Sequence, residues 1–437
     1  MIPRYVITDH HFRALAAGDG DADTVALLLA GLYSKRLLLV QAVRERTRLV
    51  ADPDAIASLD AAHALLSRVE GVAPAVVREA MTHPRVGIWA AQCLTSASAG
   101  YLACVAASAA LATGTRFDLE VPVQDGMVSL PALGTASAPA ADGTARLRSS
   151  GRGATLTAPG LLVTVPADHR APAPGWCPAR MLRAPQLPVG PELAVELDDH
   201  GPYRTSSGLR AGPPLTGTQA ARWSGTLTRA WRLLTTRHPG SAGALAAGIR
   251  TLVPLPARED DQSNSATVLN AFGAVLLTQP HDAASLALTL LHEFQHAKLA
   301  ALHDLLPLHT AAGATRFYAP WRQDPRPVGA LLHGAYAHLG VAGFWRASPA
   351  PIAAAEFAYW CAATRVALVQ LAGSGELTDA GQRFVAGMGA TLDGWQAAPL
   401  PDHIRQAAAE RLAANLTAWR TRHCGLDREL GSGAVMR

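Results

Sequence analysis

Asp282–Leu306 reads DAASLALTLLHEFQHAKLAALHDLL, and this stretch decides how the chain is organised. Leu286, Leu288, Leu290 and Leu291 form an apolar face at helical spacing, Asp282 is a helix-starting residue, and Pro307 cannot continue a helix. The pattern predicts one long, largely buried helix from Asp282 to Pro307.

Within it, His292-Glu293-Phe294-Gln295-His296 matches H-E-x-x-H. Residues four apart sit about 40° apart around a helix and roughly 6 Å along it, so both imidazoles can reach one metal ion. Glu293 lies about 100° away, badly placed to share that ion but able to touch a bound water or substrate. Seven of the 16 histidines fall between His281 and His338, a concentration that favours a metal site over scattered core histidines.

Upstream, Ala220–Thr236 reads as a helix with Trp223 and Trp231 on its buried face, stopped by His238-Pro239-Gly240. Thr251–Leu255, Ala266–Leu269 and Gly273–Thr278 read as strands, the last two joined through Asn270-Ala271-Phe272 as a tight hairpin. Residues 116–215 differ in composition. They hold 14 of the 30 prolines and short β-like runs at Leu119–Val123, Ala154–Thr157, Leu161–Val165 and Leu193–Leu197. Residues 1–115 are helical in pattern, with Asp21 to Asp23 ahead of Ala26–Val40 and a second apolar repeat over Asp60–Val69. His10, His11, His63 and His83 have no ligand spacing there and read as structural or surface residues. The expectation is a predominantly helical α+β chain in three regions. These are a helical region 1–115, a Pro/Gly-rich β-containing insert 116–215, and a helical HExxH catalytic domain 216–437 with a small sheet.

The chain has 437 residues with 49% hydrophobic and 16% charged side chains, which excludes intrinsic disorder. A net charge of +4 does not mark a nucleic-acid binder. Cys93, Cys104, Cys177, Cys361 and Cys424 contain no CxxC pair and suit a reducing compartment. Met1–Phe12 lacks the apolar core of a signal peptide. Val86–Thr115 carries no charge, but Gln92, Thr95, Ser96, Ser98, Gly100 and Ser108 interrupt it, so it reads as packed helices and not a membrane span. A cytoplasmic location is expected.

A metal needs a third protein ligand. His303 shares the face of His296 but sits roughly 10 Å further along a straight helix. Leu331–His338 offers His333 and His338 on a second helix, and Glu356 starts a third. His333 is favoured, then His338, then Glu356. Between the helices, Arg316–Pro327 (RFYAPWRQDPRP) contains three prolines expected to hold it extended, three arginines and aromatic residues. Arginine grips carboxylates with two N–H groups, which suggests an acidic ligand beside the metal. Equally, Asp324 can simply tie the loop down.

The segments HEFQHAKLAAL, YAPWRQDPRP and LLHGAYAHLGV, together with Leu15–Val40, resemble the HExxH-motif peptide-modification proteins encoded beside ribosomally synthesised, post-translationally modified peptides (RiPPs). The resemblance runs over most of the chain and is weakest in 116–215. It implies an iron(II)- and 2-oxoglutarate-dependent dioxygenase that hydroxylates a β-carbon of a precursor peptide, on a fold other than the double-stranded β-helix. It also implies a pathway partner such as a radical-SAM enzyme. Iron would be held by His292, His296 and His333, and the 2-oxo acid by Arg326 and Arg322 with Tyr318 beside them. Glu293 would position substrate or water. A three-histidine set departs from the usual two-His, one-carboxylate arrangement, to which Glu356 would restore it. The alternative is a zinc metallopeptidase with Glu293 as general base.

Overall fold

In a computed structural model, the structure describes residues 6–95, 99–139, 143–185, 190–206, 208–257, 264–310, 313, 315–396 and 400–423. Ser96, Ser98 and Cys424 lie outside the described residues. Six helices open the chain: α1 (Asp9–Ala16), α2 (Ala22–Val50), α3 (Pro53–Val72), α4 (Pro74–Thr82), α5 (Pro84–Cys93) and α6 (Tyr101–Thr113). Asp21 caps α2 by accepting from the Thr24 amide at 2.9 Å, as its position ahead of the apolar repeat predicts. The uncharged α5 and α6 are buried almost throughout, and their small residues allow close packing. By length and composition α2 is the one described helix apolar enough to cross a membrane, yet it buries Arg36 completely.

Nine strands follow: β1 (Phe117–Val123), β2 (Met127–Leu130), β3 (Gly134–Ser137), β4 (Gly143–Ser149), β5 (Ala154–Ala158), β6 (Leu161–Val165), β7 (Trp176–Pro178), β8 (Arg180–Ala184) and β9 (Leu193–Leu197). They divide among three sheets. β1-β4-β5-β6 and β2-β3-β7 are antiparallel, and β1 alternates buried and exposed residues as a sheet with one wet face should. β8 and β9 instead join a five-stranded sheet with later elements.

The remainder comprises α7 (Gly217–Arg237), α8 (Pro239–Gly248), β10 (Thr251–Pro254), β11 (Ser265–Ala266), β12 (Ala274–Leu277), α9 (Ala283–Leu305), α10 (Val328–Ala347), α11 (Ala353–Gly373), α12 (Asp379–Gln396) and α13 (Asp402–Arg422). The five-stranded sheet runs β11-β12-β10-β9-β8. β10 is parallel to both β9 and β12, while β8 and β11 are antiparallel edges. β10 and β12 are buried along their whole length, as parallel strands covered on both faces must be. The fold is therefore α+β and mostly helical, with no closed barrel among the described residues.

Three local expectations change. His238-Pro239 does stop α7, but a new helix, α8, starts at once, because proline is favoured at a first helical position. The expected strand Ala266–Leu269 is only Ser265–Ala266, so the connection to β12 is longer than a tight hairpin. The loop Arg316–Pro327 is not extended. Phe317 and Arg326 exchange both backbone hydrogen bonds, at 2.8 and 2.9 Å, and pinch it shut.

The hydrophobic cores do not divide at 115 and 215. One core gathers α1, the first half of α2 (Val25, Leu28, Leu32), β8, β9 and the helices around α9. A second joins the second half of α2 (Val40, Val43) to α3–α6 and the strands up to β7, and two smaller clusters lie beside these. A buried ionic clamp spans the junction. Arg85 of α5 donates to Asp198 and, at 2.6 Å, to Ser129 of β2, while His83 faces Glu196 of β9 at 3.2 Å. Breaking such a clamp leaves an uncompensated buried charge and is costly.

Candidate metal centre

α9 forms as the sequence predicts, with Asp282 accepting from the Ser285 amide at 2.7 Å at its start. It packs on α7 and α10, and its apolar face fills the larger core. That packing fixes the direction in which its polar residues point.

His292 and His296 lie side by side, their ring centroids 4.9 Å apart. α10 brings both of its histidines to them: His338 stands 5.1 Å from His292, and His333 stands 5.9 Å from His296. Two imidazoles bound tetrahedrally to one ion at ~2.1 Å would place their centroids roughly 5 Å apart, so these spacings suit shared ligation. Among the described residues, no three His, Cys, Asp or Glu side chains already converge on one point. Histidine χ2 is broad and nearly two-fold, so the rings of His292, His296 and His333 can redirect their nitrogens cheaply.

Burial holds all four rings in the neutral form that ligates metals. It pushes His292 and His296 down to about 4 and His333 to about 3, with further lowering from neighbouring histidines on the latter two. His338 falls well below its ordinary value for the same reason. His292, His296 and His333 remain partly accessible, whereas His338 is buried.

His338 is the most constrained of the four. Its Nδ1 contacts the Gly334 carbonyl at 2.8 Å; since a carbonyl only accepts, Nδ1 carries the proton and Nε2 keeps its lone pair. Its ring is stacked between Trp321, at 4.2 Å, and Trp360, at 4.6 Å. A Cβ on residue 334 would meet the Trp321 indole at 2.5 Å, so glycine is required there for the stack to form. Neither tryptophan stands out in the sequence reading. The glycine one turn before His338 was the available signal.

Glu293 is 3% exposed and both of its carboxylate oxygens are occupied. Ser265 of β11 donates to Oε1 at 2.7 Å, and Thr267 donates to Oε2 at 2.6 Å. The same Thr267 hydroxyl also lies 3.0 Å from the Glu293 carbonyl oxygen. These two hydroxyl residues escape sequence reasoning because nothing local marks them.

Glu356 does not join the histidines. It accepts from Trp360 Nε1 at 2.9 Å and from Arg411 at 2.7 Å, and so steadies the indole behind His338. His303 stacks on His309 at 4.5 Å, and its Nδ1 accepts from the Leu308 amide. The arginine loop is tied internally. Arg322 Nε and Arg326 Nη1 donate to the two oxygens of Asp324 at 2.9 and 2.8 Å, holding that carboxyl at about 2. Tyr318 is buried, packs on Trp419 at 5.4 Å, and its hydroxyl has no hydrogen-bond partner among the described residues.

The arrangement defines a mostly helical α+β protein with a four-imidazole cluster at the meeting of two helices. In comparisons with known proteins, no family model and no curated protein matches this chain.

Proposed function

We propose that this chain is an iron(II)- and 2-oxoglutarate-dependent oxygenase that hydroxylates a side-chain β-carbon of a ribosomally synthesised precursor peptide. The reading rests on the cluster of neutral imidazoles paired with a glutamate whose two carboxylate oxygens each accept a hydrogen bond from a hydroxyl of the β11 segment. A zinc metallopeptidase needs that glutamate free to take a proton from water. Here Ser265 and Thr267 occupy both oxygens, which suits a positioning role for Glu293.

His292, His296 and His338 are the proposed ligands, with His333 as the replacement. His338 is preferred because its tautomer is set by Gly334 and its ring is held by two indoles. When bound, iron(II) and a 2-oxo acid would supply the electrons that activate O₂, the oxidant for C–H hydroxylation, and three protein ligands would leave positions for the 2-oxo acid and O₂. Arg326 commits one N–H of its fork to Asp324 in the described contacts and is 33% exposed, so the rest of the guanidinium suits the distal carboxylate of 2-oxoglutarate. Arg322 shares the task, and Tyr318 contributes its unspent hydroxyl.

The reading places the enzyme in the cytoplasm, acting on a precursor peptide alongside a radical-SAM enzyme of the same pathway. The test is succinate formation by iron-loaded protein given 2-oxoglutarate, O₂ and candidate peptide. Peptide cleavage by the zinc-loaded protein without 2-oxoglutarate use would replace this reading with the peptidase.

A further inference from the structure

β11 is one edge of the five-stranded sheet and lies against α9, the helix of His292 and His296. It pairs antiparallel with β12, Ser265 standing opposite Leu277 and Ala266 opposite Leu276. One step earlier, the Thr278 amide donates to the Asn264 carbonyl at 2.9 Å. Bonded and non-bonded pairs alternate along an antiparallel ladder, so Ser265 and Leu277 exchange no hydrogen bond. The Leu277 carbonyl turns the other way and accepts from the Leu255 amide at 2.9 Å. The Ser265 N–H and C=O therefore point out of the sheet, and no backbone group among the described residues meets them.

Unpaired edge groups are a template for another strand. Here the edge is held firmly. Ser265 and Thr267 are two residues apart, and their hydroxyls donate to the two oxygens of Glu293 at 2.7 and 2.6 Å. Glu293 adjoins His292 in the chain, so the open backbone is fixed beside a proposed metal ligand. Leu269, 68% exposed just beyond, adds apolar surface. A strand edge is matched by another main chain, whose donors and acceptors repeat at the same spacing. A second copy of this chain is a poor occupant, since two residues of edge fall far short of the ~1,000 Å² that a stable interface buries.

We propose that the peptide substrate docks as an added strand on the β11 edge, its main chain bonded to the Ser265 N–H and C=O, and that Glu293 staples this edge to the metal helix. Glu293 is then a positioning residue that acts on the substrate through Ser265 and Thr267. The proposal rests on the reading of the histidine cluster as a site acting on a peptide. Main-chain pairing makes the docking tolerant of peptide sequence.

The test needs no turnover and is made on the full-length protein without 2-oxoglutarate, so its failure is separate from a failure to consume 2-oxoglutarate. The probe is fluorescein-labelled Thr-Val-Thr-Val-Thr-Val-Thr amide, an uncharged strand former. Anisotropy should show binding at millimolar protein, and hydrogen exchange of the unlabelled peptide complex should slow at 264–268 and not at β8, the opposite edge. The same peptide N-methylated throughout cannot donate, and should bind at least ~tenfold more weakly. Ser265→Pro removes the outward N–H at an edge position, where proline is tolerated, and should abolish binding; Ser265→Ala keeps that N–H and should retain part of it. Glu293→Ala should weaken binding with metal content unchanged, and Glu293→Gln, which keeps an acceptor, should recover part of the loss. The N-methyl comparison uses the unaltered protein and decides the question even where Ser265→Pro fails to fold. Unaltered exchange at 264–268, protection at β8 instead, equal binding of the N-methylated peptide, or full affinity in Ser265→Pro or Glu293→Ala would each overturn the proposal. Protection at 264–268 that grows with protein concentration alone would place a second copy on the edge and overturn it too.

Discussion

The imidazole of His338 lies against the indole of Trp360, ring centroids 4.6 Å apart, and the same indole gives its N–H to Glu356 at 2.9 Å. Glu356, a carboxylate that could complete an iron triad on sequence grounds, thus acts two contacts away from the cluster. It orders the wall that holds a histidine in place, and Arg411 neutralises it from the other side.

This geometry separates the candidates for the third ligand. His338→Ala should lose bound metal almost completely, while His333→Ala should lose less, and His303→Ala should keep its metal. Elemental analysis of the purified variants measures it. A full complement of metal in His338→Ala would return the assignment to His333.

Removing either α9 ligand should be severe for metal and mild for the fold. His292→Ala and His296→Ala leave the apolar face of α9 intact, and both side chains are partly accessible. Helical circular dichroism should stay unchanged while metal stoichiometry falls toward zero. Retained stoichiometry in either variant would refute the site.

Acid should destabilise the metal-free protein through the same rings. Folded His292 and His296 titrate near 4 and His333 near 3, below the ordinary value of 6.5 because of burial. On acidification the unfolded chain therefore takes up protons first. Stability is retained above about 6.5 and is lost progressively as pH falls toward 4. Denaturant melts across that window should show a falling midpoint, with a shallower slope in the His292→Ala/His296→Ala double variant. A slope unchanged by the double substitution would contradict the burial argument.

Much of this was legible in sequence where the information is local. The apolar period of α9, its Asp282 cap, the four-residue spacing of His292 and His296, and the proline-rich change near Arg116 each report on their own neighbourhood. What escaped depends on long-range pairing. Nothing in Arg180–Leu197 says that β8 and β9 will join β10 and not the strands before them. The cost of a strand register is set by partners distant in sequence. The same holds for Ser265 and Thr267 on Glu293, and for the two tryptophans around His338. The Asp324 pairing was one of two readings of the arginine loop, and the structure realises it.

The arginine loop gives a prediction that metal content alone cannot. Arg326→Ala should leave bound metal unchanged and raise the 2-oxoglutarate requirement by about tenfold or more, in line with about 1.5–3 kcal/mol for hydrogen bonds to a charged group. Because Arg322 shares Asp324, the double variant should be worse than either single one. A normal 2-oxoglutarate requirement in the double variant would remove the loop from cofactor binding.

Glu293→Gln distinguishes positioning from base catalysis. Glutamine keeps the shape and one acceptor for Ser265 or Thr267. The oxygenase account expects a partial loss of turnover with metal retained. A peptidase would lose nearly all turnover, because the base itself is gone.

The most direct measurement follows 2-oxoglutarate after oxygen is admitted. The protein is loaded with iron(II) under argon, given 2-oxoglutarate and its peptide, and then exposed to O₂. The account predicts succinate in step with a peptide product heavier by one oxygen atom, and neither when zinc replaces iron. Unchanged 2-oxoglutarate after oxygen is admitted to the iron-loaded protein and peptide would contradict it.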